Sequence, residues 1–359
     1  MEDASARGIE LITLLERSGF AYGSRSATNV LLLQERFSVD TLLKITLAAL
    51  HTPSPDMALN GFERLAGVLD QATLRRVVSN RRRLAQLLFC CGSSPFLTNL
   101  LFKEPSYFLR LYLDHELEQS RARTELLEML RRAVPASVDL ALLMKELRCF
   151  KRFEILRIAT RDLNNLAPLE EVTRELSDLA SATLQVAYET CHRLLVQEYG
   201  QPLKETPDGL RTAVMTVLGM GKFGGRELNF SSDIDIIYFY ETDRGETAGI
   251  DDGRGGRKGV VSLHTFFNKL AELTTRAMNQ VTEDGFVFRV DVGLRPEGKS
   301  GDMAVSLRSA EIYYESWGQS WERTAMLKAR PVAGSRELGE QLLLTLAPFI
   351  YRKYLDYTL

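Results

Sequence analysis

Three aspartates define the chemistry this chain is equipped for. Asp233 and Asp235 stand two apart at the head of an apolar run that continues to Tyr240. In a strand, side chains two apart share a face, so both carboxylates project side by side from a strand otherwise built to be buried. Asp291 lies in a second run, residues 286–294, that alternates cleanly. Phe286, Phe288, Val290 and Val292 take one face; Val287, Arg289, Asp291 and Gly293 take the other. Two carboxylates about 4 Å apart repel by roughly 4 kcal/mol at an effective dielectric near 20. They must share a proton, meet a basic side chain or bind a cation. A hard divalent ion is the strongest answer, and magnesium commonly takes one or two carboxylates plus substrate phosphates. With the second run beside the first, the three acids converge, enough for two metal ions. The plainer alternative is that Asp233 caps a turn and Asp291 pairs with Arg289.

The elements around the acids must hold them in place. Residues 214–218 read as a buried strand that meets a glycine-rich turn at Gly219, Gly221, Gly224 and Gly225. Gly219-x-Gly221-x-x-Gly224 also fits a dinucleotide fingerprint, which requires a long helix next and an acid about 20 residues on. Only residues 222–229 separate the turn from the next strand, and the acids arrive early and as a pair. A phosphate-cradling turn, in which backbone N–H groups approach an anion, fits better. Residues 260–281 form an amphipathic helix, with Leu263, Phe266, Phe267, Leu270, Leu273, Ala277 and Val281 on one side. This helix joins the strand of Asp233 to that of Asp291, a crossover that normally makes the two parallel.

Gly221-Lys222, ten residues, Asp233-Ile-Asp235-Ile and a later Val290-Asp291-Val292 resemble the nucleotidyltransferase superfamily of DNA polymerase β. The run Gly219-Met-Gly-Lys-Phe-Gly-Gly-Arg-Glu-Leu-Asn-Phe-Ser-Ser-Asp-Ile-Asp235 is similar to the signature of the glutamine synthetase adenylyltransferase/adenylyl-removing enzymes. Phe288-Arg-Val-Asp-Val-Gly-Leu-Arg-Pro296, Ser300-Gly301, Trp321-Glu-Arg-Thr-Ala-Met-Leu-Lys-Ala-Arg330 and Arg152-Phe-Glu-Ile-Leu-Arg-Ile-Ala-Thr-Arg-Asp162 extend the likeness from about residue 90 to the end.

That resemblance implies an α+β fold, mostly helical, with a polymerase β-like core around a small mixed sheet. The expected division is a helical region at 1–205, a catalytic core at 206–305 and a helical segment at 306–359. The family's proteins are far longer and carry two tandem copies. The expectation is the amino-terminal, adenylyl-removing copy, ending before the second. The implied reaction releases AMP from a tyrosine of glutamine synthetase by phosphorolysis, giving ADP. The alternatives are ATP-dependent adenylylation of that tyrosine, or a non-catalytic module binding the PII signalling protein. Asp233, Asp235 and Asp291 would hold Mg2+, two ions in the fullest reading. The turn at Gly219 to Gly225, with Ser231 and Ser232, would cradle the nucleotide. Lys222, Arg289, Arg295 and Lys299 would bring in phosphate. Glu322, Lys328 and Arg330 also match the family, though a surface salt-bridge set would look the same. Two positions depart from its pattern: Gly293, where a basic residue is usual, and Glu297, where an apolar or aromatic one is frequent.

Composition sets the remaining bounds. At 359 residues with 45% hydrophobic and 26% charged, the chain buries a sizeable core in two or more domains. A net charge of −2 argues against bulk nucleic-acid binding. Four cysteines, with Cys90 and Cys91 adjacent, make no disulfide framework, and a reducing cytoplasm is the simplest home. No membrane span or signal peptide is legible. Residues 1–205 read as helix after helix without strands: 38–50, 57–69, 72–88, 95–102, 107–113, 116–134, 138–163 and 172–199. Arg75, Arg76, Arg81, Arg82 and Arg83 suit a solvated helix face, and His192 a packed position. Residues 200–209 read as a linker and 241–259 as a mobile loop exposing Asp251, Asp252, Arg254, Arg257 and Lys258. Helices are expected at 310–317 and 321–329, with Trp317 and Trp321 in the core. A last helix, capped by Ser335, runs towards Tyr354.

Overall fold

The computed structural model describes residues 2–135 and 137–351. The chain divides into two compact units, residues 1–120 with 153–172, and residues 121–152 with 173–359. Two of the boundaries fall within the helices Leu140–Leu163 and Leu169–Tyr199, and the third falls just ahead of the helix Arg123–Ala133; none lies near residue 205.

The first unit is helical. Polar caps and prolines set its helix starts: Ser54 and Ser94 each accept a backbone N–H from the first turn, with proline at the first helical position of Pro55–Val68 and Pro95–Lys103. Residues 72–88, read as one helix, are two. Asn80 interrupts them, its side chain accepting Arg83 N–H to start Arg81–Ser93. Residues 116–134 likewise split into a short 3-10 turn, Glu116–Glu118, and the helix Arg123–Ala133, which belongs to the second unit. The helix Gly23–Gln34 escaped the sequence reading because it has no side-chain cap and leaves Leu31 and Leu32 exposed. Phe62, Leu65, Leu87, Leu88 and Phe108 lie at the core. Arg75, Arg76, Arg81 and Arg82 are exposed, as a solvated face requires. No single helix among the described residues is long and apolar enough to cross a membrane.

The second unit carries the sheets. Residues 200–212 are not a linker. Pro202–Thr206 (β1) and Gly209–Thr212 (β2) form a hairpin turning at Pro207-Asp208. Met215–Gly219 (β3) and Ile234–Tyr240 (β4) pair antiparallel at the centre of the main sheet. The expected loop at 241–259 is a ribbon. Gly245–Thr247 (β5) pairs with β1, and Ile250–Asp251 (β6) pairs with Arg257–Lys258 (β7). Its charged residues are exposed, as expected. The crossover helix is Leu263–Asn279, started by Ser262; Val281, assigned to its buried face, lies beyond it and is exposed.

The crossover delivers Val290–Asp291 (β8) and Ala304–Ser306 (β9) parallel to β4, one at its start and one at its end. Only two residues of the 286–294 run are strand. Val287 and Phe288 are both buried, so alternation begins after them. Arg330–Gly334 (β10), between the expected helices, pairs antiparallel with β3 through a bulge near Pro331. The sheet is therefore mixed, in the order β10-β3-β4-β8, inside an α+β fold.

Ile237 and Phe239 face a core with Tyr314, Met326, Leu342 and Leu346 from the following helices. On the opposite face Tyr240 stacks on Phe267 of the crossover helix, and Tyr238 bonds Thr275. The helices Leu307–Ser316 and Ser320–Met326 are separated at Gly318. That break overturns the expected burial of the tryptophans: Trp317 is 70% and Trp321 54% exposed. The helix capped by Ser335 runs to Ile350; Tyr354 lies outside the described residues.

Candidate active site

The acids occupy the one edge of β4 where burial lapses. Every residue from Ile236 to Tyr240 is buried, whereas Asp235 is partly open. Asp235 stands in register with Asp291 on the parallel neighbour β8. Neighbouring strands lie about 4.8 Å apart, so residues abreast present their side chains side by side on one face. Burial, then the charges of Asp291 and Asp233, push the Asp235 carboxyl above its ordinary range, against a pull from Lys222. The Gly293 N–H holds Asp291 by donating to Oδ1 at 2.6 Å. A side chain at Gly293 would crowd that oxygen, its Cβ falling 2.9 Å away.

Asp233 is engaged differently. The Arg289 guanidinium donates from Nε to Asp233 Oδ1 and from Nη2 to the Ser231 carbonyl. The alternative of an Arg289–Asp291 pair therefore fails. Arg289 immediately precedes β8 and turns to the neighbouring segment, where Ile234 N–H also bonds the Arg289 carbonyl at 2.9 Å. Among the described residues no three His, Cys, Asp or Glu side chains are grouped closely enough to hold one metal ion. Asp235 and Asp291 do suit a hard cation: both are oxygen donors, and neither has an ion-pair partner within 4 Å among the described residues.

The glycine turn abuts the acids. Gly221–Gly224 is a single helical turn, and Met220 N–H donates to the Asp235 carbonyl at 2.9 Å. A Cβ at Gly221, which has φ +51°, would lie 3.1 Å from Asp235 Oδ2. The first N–H groups of a helix have no partner within it, so this turn aims donors beside the carboxylates. Gly224 has another reason. Its Cβ would fall 2.1 Å from the Lys328 carbonyl and 2.5 Å from that of Gly219. Gly224→Ala should destabilise the fold by about 1–3 kcal/mol through overpacking. Thermal unfolding checks this, with a fall in melting temperature expected.

The remaining sequence candidates separate. Lys222 approaches Asn229 Oδ1 at 3.4 Å, and Ser232 Oγ bonds the same oxygen. Lys299 is exposed. Arg295, taken as a phosphate ligand, is buried, with its donors on the carbonyls of Gly301 (3.1 Å), Val292 (2.9 Å) and Lys299 (3.3 Å). It fastens the turn after Asp291. Glu322, Lys328 and Arg330 are not a surface salt-bridge set. Glu322 is buried, accepting from Tyr313 Oη at 3.0 Å and from Gln319 N–H at 2.8 Å. Arg330 donates to the carbonyls of Gly224 (3.1 Å) and Phe223 (3.2 Å), closing the end of the glycine turn. Only Lys328 makes an exposed pair, with Glu227 at 2.7 Å.

Sequence reasoning missed the support beneath this turn. Ser177 Oγ accepts Leu228 N–H at 3.1 Å, and the buried Asp178 lies 3.6 Å from Arg226. Both come from the helix Leu169–Tyr199, whose sequence reads as ordinary amphipathic helix. His192 is partly packed, edge-on to Phe266, as expected.

A glycine turn feeding a strand that opens on acids, in a small mixed sheet, agrees with the likeness to nucleotidyltransferases carried by the sequence. The family profile described as glutamate-ammonia ligase adenylyltransferase matches residues 84–345, and the chain belongs to that family. It is 41% identical over 266 residues to a bifunctional glutamine synthetase adenylyltransferase/adenylyl-removing enzyme of Thioalkalivibrio sulfidiphilus, covering 74% of this chain and 26% of that protein. It is 38% identical over 316 residues to the protein of the same description from Pseudomonas aeruginosa, covering 87% of this chain and 31% of the relative. The chain thus spans between about a quarter and a third of these relatives' length.

Proposed function

We propose that this chain removes AMP from an adenylylated tyrosine of glutamine synthetase by phosphorolysis. A phosphate oxygen attacks the AMP phosphorus, the bond to the tyrosine oxygen breaks, and ADP and free tyrosine leave. The observation that carries the reading is Asp235 abreast of Asp291 beside the glycine turn. Two of the curated relatives bear both activities in their descriptions. The long helical region ahead of the core and the run Asn229-Phe-Ser-Ser-Asp-Ile-Asp235 favour removal.

The residues suit this chemistry. Phosphate is already anionic near neutral pH, and the leaving tyrosine oxygen has a pKa near 10, so no poised histidine is required. The two histidines of this unit are placed elsewhere: His192 against Phe266, and His264 beside Tyr240 at the far end of β4. The difficulty is an anion meeting an anion. Magnesium held by Asp235 and Asp291, with Asp233 joining for a second ion, would supply charge neutralisation on both sides of the reacting phosphorus. Lys222, Lys299 and Arg289 are the cations that steer phosphate in. The N–H groups opening the Gly221–Gly224 turn would hold nucleotide oxygens.

Incubation with adenylylated glutamine synthetase, magnesium and phosphate tests the assignment. ADP should form, and omitting phosphate should stop it. Incorporation of label from ATP into unmodified glutamine synthetase, without ADP formation from the adenylylated form, would replace removal by transfer. PII binding without turnover in either direction would leave a docking module.

A further inference from the structure

The three acids are not equivalent, and Arg289 is the reason. Asp235 and Asp291 stand side by side without an ion-pair partner among the described residues, whereas Asp233 is bonded to a guanidinium that carries the charge a second cation would bring. Both ions of this pair are about half exposed, Arg289 at 51% and Asp233 at 49%, so the bond is exchangeable with solvent species. In that same position the guanidinium lies with its centre 5.8 Å from the Phe286 ring and also bonds the carbonyl of Ser231, whose φ is +61°. Arginine binds phosphate through two parallel N–H bonds, a better match than a single exposed carboxylate oxygen.

We propose that Arg289 is a movable latch on Asp233, released by an incoming phosphate group, so that anion binding and the second divalent ion are coupled. The inference rests on the reading of this site as a metal-dependent phosphoryl-transfer centre. Asp235 and Asp291 take an ion without rearrangement. Asp233 becomes a ligand only after the guanidinium leaves it for phosphate oxygens. The arginine then guides the nucleophile and uncovers the third acid in one movement. Its neighbour Lys151 stays behind, 5.4 Å from the Phe286 ring and 5.7 Å from the Phe288 ring.

Coupling of this kind is reciprocal and typically 5- to 150-fold. Mn2+ titration followed by electron paramagnetic resonance reads it directly, with and without inorganic phosphate. Signals are calibrated against Mn2+ and phosphate alone. The wild-type chain should bind one Mn2+ alone, and phosphate should strengthen a second by roughly 5- to 150-fold. Arg289→Gln should bind two ions without phosphate and lose the coupling. Asp233→Asn should bind one ion in either condition. Circular dichroism verifies that both variants are folded. Two equal ions in the wild type without phosphate, or undiminished coupling in Arg289→Gln, overturns the latch alone. No Mn2+ bound by any of the three chains overturns the metal-dependent reading and the latch together.

Discussion

Asp235→Asn should lower phosphate-dependent AMP release by about 10³-fold or more while raising the melting temperature at neutral pH. The activity loss follows if this carboxylate is the shared ligand of the metal site. Charge stabilisation worth several kcal/mol disappears, and each 1.36 kcal/mol is tenfold in rate. The gain in stability follows from linkage. Burial and the charges of Asp291 and Asp233 hold the Asp235 carboxyl above its ordinary value. The folded state therefore binds this proton more tightly than the unfolded state. Stability is lost as pH rises between the unfolded and folded values, and the loss is complete above the folded one. A neutral amide removes that penalty. The variant's advantage should be full at pH 7 and vanish below the ordinary carboxylate range. Circular dichroism melts across pH, run beside the ADP assay, check both halves. A variant less stable than wild type at pH 7 would mean that Asp235 is a structural anchor.

Arg148→Met should cost about 1–3 kcal/mol of stability, the scale for leaving buried acceptors without a donor. Arg148 is 1% exposed and lies on the helix Leu140–Leu163. Its guanidinium donates to the carbonyls of Gly285 (2.7 Å), Met144 (2.5 Å), Ala277 (3.3 Å) and Gln280. Ala277 and Gln280 end the crossover helix, and Gly285 closes the turn that leads to Asp291. Methionine fills comparable space but withdraws all four bonds, although the Gly285 carbonyl keeps the Thr282 N–H at 2.9 Å. Urea unfolding should show a lower midpoint with little change in slope. ADP release should fall as well, because the turn that feeds β8 loses its anchor. The adjacent Arg152, paired with Asp284 at 2.7 Å and less buried, should matter less when truncated.

The parts that announced themselves were those whose period survives in the fold. Residues 214–218 and 234–240 were read as strands and appear as Met215–Gly219 and Ile234–Tyr240. The amphipathic crossover was also legible, though not the direction of the strands it joins, and their parallel register brings Asp235 to Asp291. What failed depended on partners distant in sequence. Alternation placed Arg289 with Asp291, but the register between β4 and β8 offers it Asp233 and the Ser231 carbonyl instead. β10 was concealed by Pro331 and Gly334, residues tolerated there because the strand is an edge and carries a bulge. The role of Arg295 was misread because a buried arginine serving backbone carbonyls has the same local sequence as one awaiting phosphate.

The exposed indoles have a practical consequence for anyone following this protein in solution. Trp317 and Trp321 are the only tryptophans in the sequence, and both flank one turn of the second unit. Intrinsic emission therefore reports on a single wet corner. It should be red-shifted and open to quenching by acrylamide in the native state.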